Sequence, residues 1–182
     1  MDKRTAVLAL LKNYVPLDPA DEQTLTTYKN FVLQHPDCLE RSLACGHLTG
    51  SCWLVNPSGD SVLLTHHKKI NSWFQLGGHA DSDSDLLRVA MREAYEESGI
   101  ELISPISQEI FDLDIHLIPA RKDEPAHYHY DARFLLRAGT DKFSISEESN
   151  DLSWVKIDNL EKVTQLPSML RMRDKWMRVA SR

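Results

Sequence analysis

Between Gly77 and Ile100 the chain reads GGHADSDSDLLRVAMREAYEESGI, and this stretch constrains folding more than any other in the sequence. A helix stopped at Gly99 places Glu93, Glu96 and Glu97 within an arc of roughly 100°, because they are spaced i, i+3 and i+4. Three like charges on one face repel, so they need bulk water or a cation among them. Leu87, Ala90, Met91 and Ala94 form an apolar stripe on the neighbouring arc, which presses the helix onto a core and aims the acids at a fixed point. Arg92, one turn before Glu96, flanks the acids and can brace them. The paired glycines read as a tight turn before the helix, and Ser84 reads as its N-cap.

Composition narrows the setting. The chain has 182 residues, 42% of them hydrophobic and 26% charged, enough for one globular domain with a sizeable core. A formal charge of −6 and a pI near 5.7 argue against a nucleic-acid backbone as partner. Cys38, Cys45 and Cys52 lack metal-ligand spacing and read as reduced thiols. Val7 to Leu11 is too short an apolar run for a signal peptide or a membrane span, so a soluble cytoplasmic protein is expected.

In chain order, helical periodicity runs from Thr5 to Val15 and ends at Pro16. A second helix starts with Asp18 as N-cap and Pro19 in the first turn, and stops at His35-Pro36. This front piece covers the main domain or exchanges with a second subunit; sequence leaves both open, and with them a homodimer. Alternation from His47 to Val55, a Pro57 to Asp60 turn and the run from Ser61 to Thr65 read as a hairpin. A short strand, Trp73 to Leu76, feeds the glycines. Further strands are expected at Ile110 to Ile118, His129 to Arg137 and Leu152 to Val155, with a last helix from Pro167 to about Val179. The pattern implies an α/β fold, with residues 1–42 a helical segment and 43–182 the main part of a single domain.

Gly78 followed by Arg92-Glu93-x-x-Glu96-Glu97-x-Gly99-Ile100 resembles the Nudix box of the Nudix hydrolases, with Ser84 where that family expects a glutamate. Asp83 or Asp85 would then take over the missing contact. The resemblance implies an α/β/α sandwich with a mixed sheet, and a pyrophosphohydrolase using Mg²⁺ or Mn²⁺. Its metal ligands would be Glu93, Glu96, Glu97 and the carbonyl of Gly77, with Glu93 or Glu148 as general base. Hard carboxylate oxygens suit such cations, which bridge to phosphate oxygens and acidify a bound water. The substrate would be a nucleoside diphosphate derivative: a nucleotide sugar, an ADP-ribose-like compound or a nucleoside triphosphate. His66 could contact phosphate or ribose, Trp73 or Phe74 could stack on a base, and Arg121 with Lys122 could close over an anion.

The histidines carry a second resemblance. His47 entering the first strand, His79 after the glycines and His129-x-Asp131 on a later strand are similar in order to the metal-binding residues of isopentenyl diphosphate isomerase, a fold relative. That implies a second, histidine-containing metal site, and makes isomerisation an alternative activity; a catalytically silent nucleotide-binding module is another. The isomerase pattern places a catalytic cysteine where this chain has Gly77. His35 and His127 read as ordinary surface or core residues.

Overall fold

Two helices, α1 (Arg4–Asn13) and α2 (Pro19–Gln34), precede strands β1 (Gly46–Val55), β2 (Ser61–His67), β3 (Ser72–Phe74) and β4 (Leu76–His79). Helix α3 (Leu86–Ser98) follows, then β5 (Ile103–Pro105), β6 (Asp112–Ile118), β7 (His127–Ala138), β8 (Leu152–Lys156), a 3₁₀ turn (Ile157–Lys162) and α4 (Pro167–Ala180). The computed structural model describes residues 2–67, 72–121, 124–144 and 151–181.

β1 is the axis of the sheet and is buried along its whole length. It runs parallel to β7, with Gly46 opposite Tyr128 and Val55 opposite Arg137. Among the described residues all the other strand pairs are antiparallel: β2 and β4 join β1, β5 and β6 join β7, and β2 carries β3 and β8. A parallel pair inside an otherwise antiparallel sheet needs a long crossover, and the stretch from β2 to β6 supplies it.

Strand alternation then divides the residues of β1 between two layers. Leu48, Cys52 and Leu54 face a core shared with Ala132, Phe134, Leu86, Ala90 and Ala94, and with Val7, Leu11, Tyr28 and Val32 of the front helices. Trp53 and Val55 face a smaller core built with Leu135, Met169, Met172 and Trp176 of α4. Helices thus cover both faces of a mixed sheet, as the α/β/α expectation required. On the α4 side the other inward positions of β1 are polar: His47, Thr49 and Ser51, all buried.

The front helices form where their caps direct. The Asp18 carboxylate accepts the Asp21 N–H at 2.9 Å, and Pro19 opens α2. Phe31 stacks on Tyr130 of β7 with ring centroids 3.7 Å apart. α1 and α2 therefore lie over the sheet as part of its larger core.

Several local expectations change. β1 and β2 meet across their turn at Val55 and Val62, but the rest of that edge of β1 pairs with β4, so no long hairpin forms. The glycines are not a turn: Gly77 and Gly78 lie within β4, opposite Ser51 and Gly50. The expected single strand before them is split at Gln75. Asp85, not Ser84, caps α3, its carboxylate accepting the Arg88 N–H at 3.1 Å. The apolar stripe of α3 is also rotated, with Leu86 and Val89 buried beside Ala90 and Ala94 while Leu87 and Met91 are half-buried. Starting the helix at Leu86 puts Leu86 and Val89 one turn apart over β1.

Candidate functional site: a carboxylate cleft beside a histidine cluster

α3 packs across β1 and β4. Close approach of Glu93 to β4 is possible because Gly78 has no side chain: a Cβ there would overlap the Glu93 carboxylate, while one on Gly77 would overlap Ser51 of β1. The Gly77 N–H donates to Glu97 Oε1 at 2.9 Å. Arg92 donates from Nη2 to Glu93 Oε1 at 2.7 Å and to the His79 carbonyl at 3.0 Å, tying helix to strand. Its Nε lies 3.9 Å from Glu96, whose side chain is 54% exposed. Glu93, Glu96, Glu97 and Arg92 thus line an open cleft of about 520 Å³ together with Gly77, Gly78 and His79. Arg41 and Asp81 complete the lining and pair with each other, Arg41 Nε lying 2.6 Å from Asp81 Oδ1.

Fit to a hard divalent cation can be judged from the donors. Three carboxylates and a strand backbone offer oxygen, the ligand such ions take. The bare surface of Gly78 leaves the Glu93 carboxylate as the first group above the strand. Glu93 is 19% exposed, so it stays within reach of a ligand in the cleft.

Beside the cleft the parallel register of β1 and β7 sets His47 directly opposite His129. β6 adds His116 opposite His129, and β4 adds His79 opposite Thr49. The His47 ring lies 5.0 Å from His79, 4.9 Å from His127 and 4.8 Å from His129, centroid to centroid. Burial pushes the His47 imidazole down to about 4 and His129 to about 3, and the neighbouring imidazoles push the same way. His79 is lowered as well, by burial and by Arg41.

Asp131 belongs to a different assembly on this face. Its carboxylate accepts from Thr49 Oγ1 at 2.9 Å, Ser51 Oγ at 2.7 Å, Gln75 Nε2 at 3.2 Å and Arg133 Nε at 2.8 Å. Arg133 continues to Asp112 and Asp114, both at 3.1 Å. Asp112 in turn meets Arg171 at 2.8 Å and Lys175 at 2.7 Å. Lys175 reaches Asp21 at 3.0 Å and the Tyr14 hydroxyl at 2.6 Å, so the ion network runs from the sheet through α4 to the front helices.

The NUDIX domain family model matches residues 47–177, well over half of the chain. The chain belongs to the NUDIX domain family. Solved structures agree on the Nudix fold. A NUDIX-family hydrolase from Clostridium perfringens is 23% identical over 73% of this chain and 97% of its own, with a TM-score of 0.56. The Ap4A hydrolase of C. elegans, as a binary complex, is 17% identical over 74% and 97%, at a TM-score of 0.53. The NUDIX domain of NrtR from Shewanella oneidensis, complexed with ADP ribose, is 14% identical over 77% and 92%, at a TM-score of 0.53. No curated protein sequence matches the chain.

Within this Nudix frame the sequence-derived residues fall into three places. Glu93, Glu96, Glu97, Arg92 and Gly77 line the cleft, and His79 joins them there. His47, His79 and His129 come together as a second group, but Asp131 is bound within the ion network and His127 takes the place expected for it. The signal for His127 was its i, i+2 spacing from His129, which puts both on one face of a strand. Trp73, Phe74 and His66 sit on the paired strands β2 and β3, with the rings of His66 and Trp73 4.9 Å apart, and do not line the cleft. Trp73 packs against the α4-side core. Arg121 forms an isolated bridge with Glu124, also away from the cleft lining. Glu148 and Lys122 lie outside the described residues. Arg41 and Asp81 escaped sequence reasoning, since both sit in irregular segments brought to the cleft by the fold. Among the described residues no helix is long and apolar enough to cross a membrane.

Proposed function

We propose that the chain is a metal-dependent pyrophosphohydrolase acting on a nucleoside diphosphate derivative, with Glu93, Glu96 and Glu97 as its metal ligands. The observation that carries this reading is the sharing of one cleft by these three carboxylates, the bare Gly77-Gly78 strand and the bracing Arg92. A Mg²⁺ or Mn²⁺ ion held there supplies charge neutralisation for phosphate oxygens and a more acidic water. The chain's own residues do the rest. Arg92 orients Glu93 through the 2.7 Å contact, and the Gly77 N–H holds Glu97. Glu93 would accept the proton of the attacking water, with Glu148 as the second candidate for that role. Arg41, which also lines the cleft, offers a guanidinium for the anionic leaving group. Ser84 does not cap α3, and the Asp83 carboxylate instead anchors the helix start through Arg88 Nε at 2.8 Å.

The neighbours that act on Ap4A or bind ADP ribose motivate the substrate panel: diadenosine polyphosphates, ADP-ribose, nucleotide sugars and nucleoside triphosphates. Release of nucleoside monophosphate or phosphate is measured with Mg²⁺ and with Mn²⁺, for the natural sequence and for Glu96→Gln and Glu97→Gln. Turnover that survives both substitutions removes the carboxylate mechanism. Tight nucleotide binding with no turnover at any metal would leave a binding module instead. Isomerisation of an allylic diphosphate is disfavoured by the backbone itself, since any side chain at position 77, a cysteine included, would collide with Ser51.

A further inference from the structure

His47 is a buried polar side chain with nothing to bond. It is 1% exposed, and among the described residues neither ring nitrogen has a hydrogen-bond partner. Buried polar groups are almost always satisfied, so such an imidazole asks for a partner that is not a protein group. The geometry around it says which kind. His127 Nδ1 lies 2.9 Å from the Pro125 carbonyl, to which it donates, and this leaves Nε2 with its lone pair. That Nε2 is 3.2 Å from Nε2 of His129. Two nitrogens bound to one tetrahedral zinc at about 2.0–2.1 Å stand about 3.3 Å apart, so the pair already has the spacing of two ligands. A backbone carbonyl on the far nitrogen is also the usual support of a metal-bound histidine.

Among the described residues, ligand atoms of His47, His127 and His129 all lie within 4.8 Å of one another. We propose that His47, His127 and His129 form a three-imidazole site for a borderline divalent cation of the zinc class, distinct from the carboxylate cleft. Three nitrogen donors select against Mg²⁺ and Ca²⁺, which take oxygen. A three-histidine set leaves a coordination position open for water or a substrate oxygen. His79 stands at the junction: its ring is 5.0 Å from His47 and 5.1 Å from His129, and it also lines the carboxylate cleft. A cation on the histidines would therefore add positive charge at the rim of the cleft. The proposal stands whether or not the cleft hydrolyses pyrophosphate.

The test uses full-length protein stripped with a chelator and titrated with Co²⁺, whose visible absorption reports a nitrogen-ligated, low-coordinate ion, followed by displacement with Zn²⁺. One Co²⁺ per chain is expected to give this signal. Its affinity should fall at least tenfold in His129→Gln and in His127→Gln and be kept in the Glu96→Gln/Glu97→Gln double variant. X-ray absorption at the zinc edge on the unsubstituted protein reads the ligands without any variant, and an imidazole-nitrogen shell is expected. An all-oxygen shell, or a signal lost in the glutamate variant and kept in the histidine variants, would overturn the site. So would a lack of Co²⁺ and Zn²⁺ uptake, which would make the 3.2 Å contact a hydrogen bond between two imidazoles.

Discussion

Gly77 and Gly78 are neighbours with opposite duties, and substitution should separate them. A methyl group on Gly78 meets the mobile end of Glu93, which can swing aside. Gly78→Ala should therefore cost less than about 1 kcal/mol in urea denaturation, yet lower turnover tenfold or more, since a misplacement of about 1 Å at a reacting centre costs up to about a hundredfold. A methyl on Gly77 meets the Cβ and backbone of Ser51, which cannot swing. Gly77→Ala should cost about 1–3 kcal/mol, visible as a lower urea midpoint, because strand β4 must move off β1. If Gly78→Ala instead keeps full turnover, the assignment of Glu93 to the site is wrong. Neither duty was visible in the sequence, where the pair reads as a turn; both depend on which strand lies beneath.

At the scale of the element, α3 was legible almost completely. Its charged face follows from spacing alone, its apolar stripe turns to include Leu86 and Val89 once the helix start is fixed, and Gly99 closes it in the left-handed conformation, with φ at 63°. What sequence misplaced was the first turn. Serine and aspartate cap equally well, so a Ser-Asp run fixes the cap only to within a residue. Asp85→Ala should cost about 1 kcal/mol by thermal denaturation, while Ser84→Ala stays near zero. The front helices answer to the same logic. We read residues 1–42 as a covering segment of one domain with 43–182, because Tyr28 and Phe31 seat on Tyr130. A chain lacking residues 1–36 should then bind a hydrophobic dye and melt at a lower temperature; a truncated chain as stable as the full one would make the segment a separate unit.

For the whole molecule, the ion network from Tyr14 to Asp131 joins both helical layers through the sheet. Asp112, fully buried, faces Arg133, Arg171 and Lys175. Asp112→Ala should cost about 3–5 kcal/mol, since it leaves cations buried without their counter-charge. Asp114 gives the pH dependence. Burial alone would raise its carboxyl, but His116, Arg133 and Arg171 hold it well below the usual carboxylate range. A depressed carboxylate contributes stability that is fully present above its ordinary value near 4 and is lost as pH falls through the lower folded value. Urea midpoints should therefore drop steeply below about pH 4, and Asp114→Asn should flatten that drop; an unchanged slope would place the acid sensitivity elsewhere.

The sequence by itself determined the elements and the carboxylate helix, because helical period, strand alternation and caps are local and three glutamates at i, i+3 and i+4 need only one helix to share a face. The tertiary structure alone decided the partners. The parallel register of β1 and β7 set His47 against His129, drew Asp131 into the ion network and brought His127 to the cluster. Register between strands so distant in the chain is fixed by which faces can be buried together, and no local pattern records that.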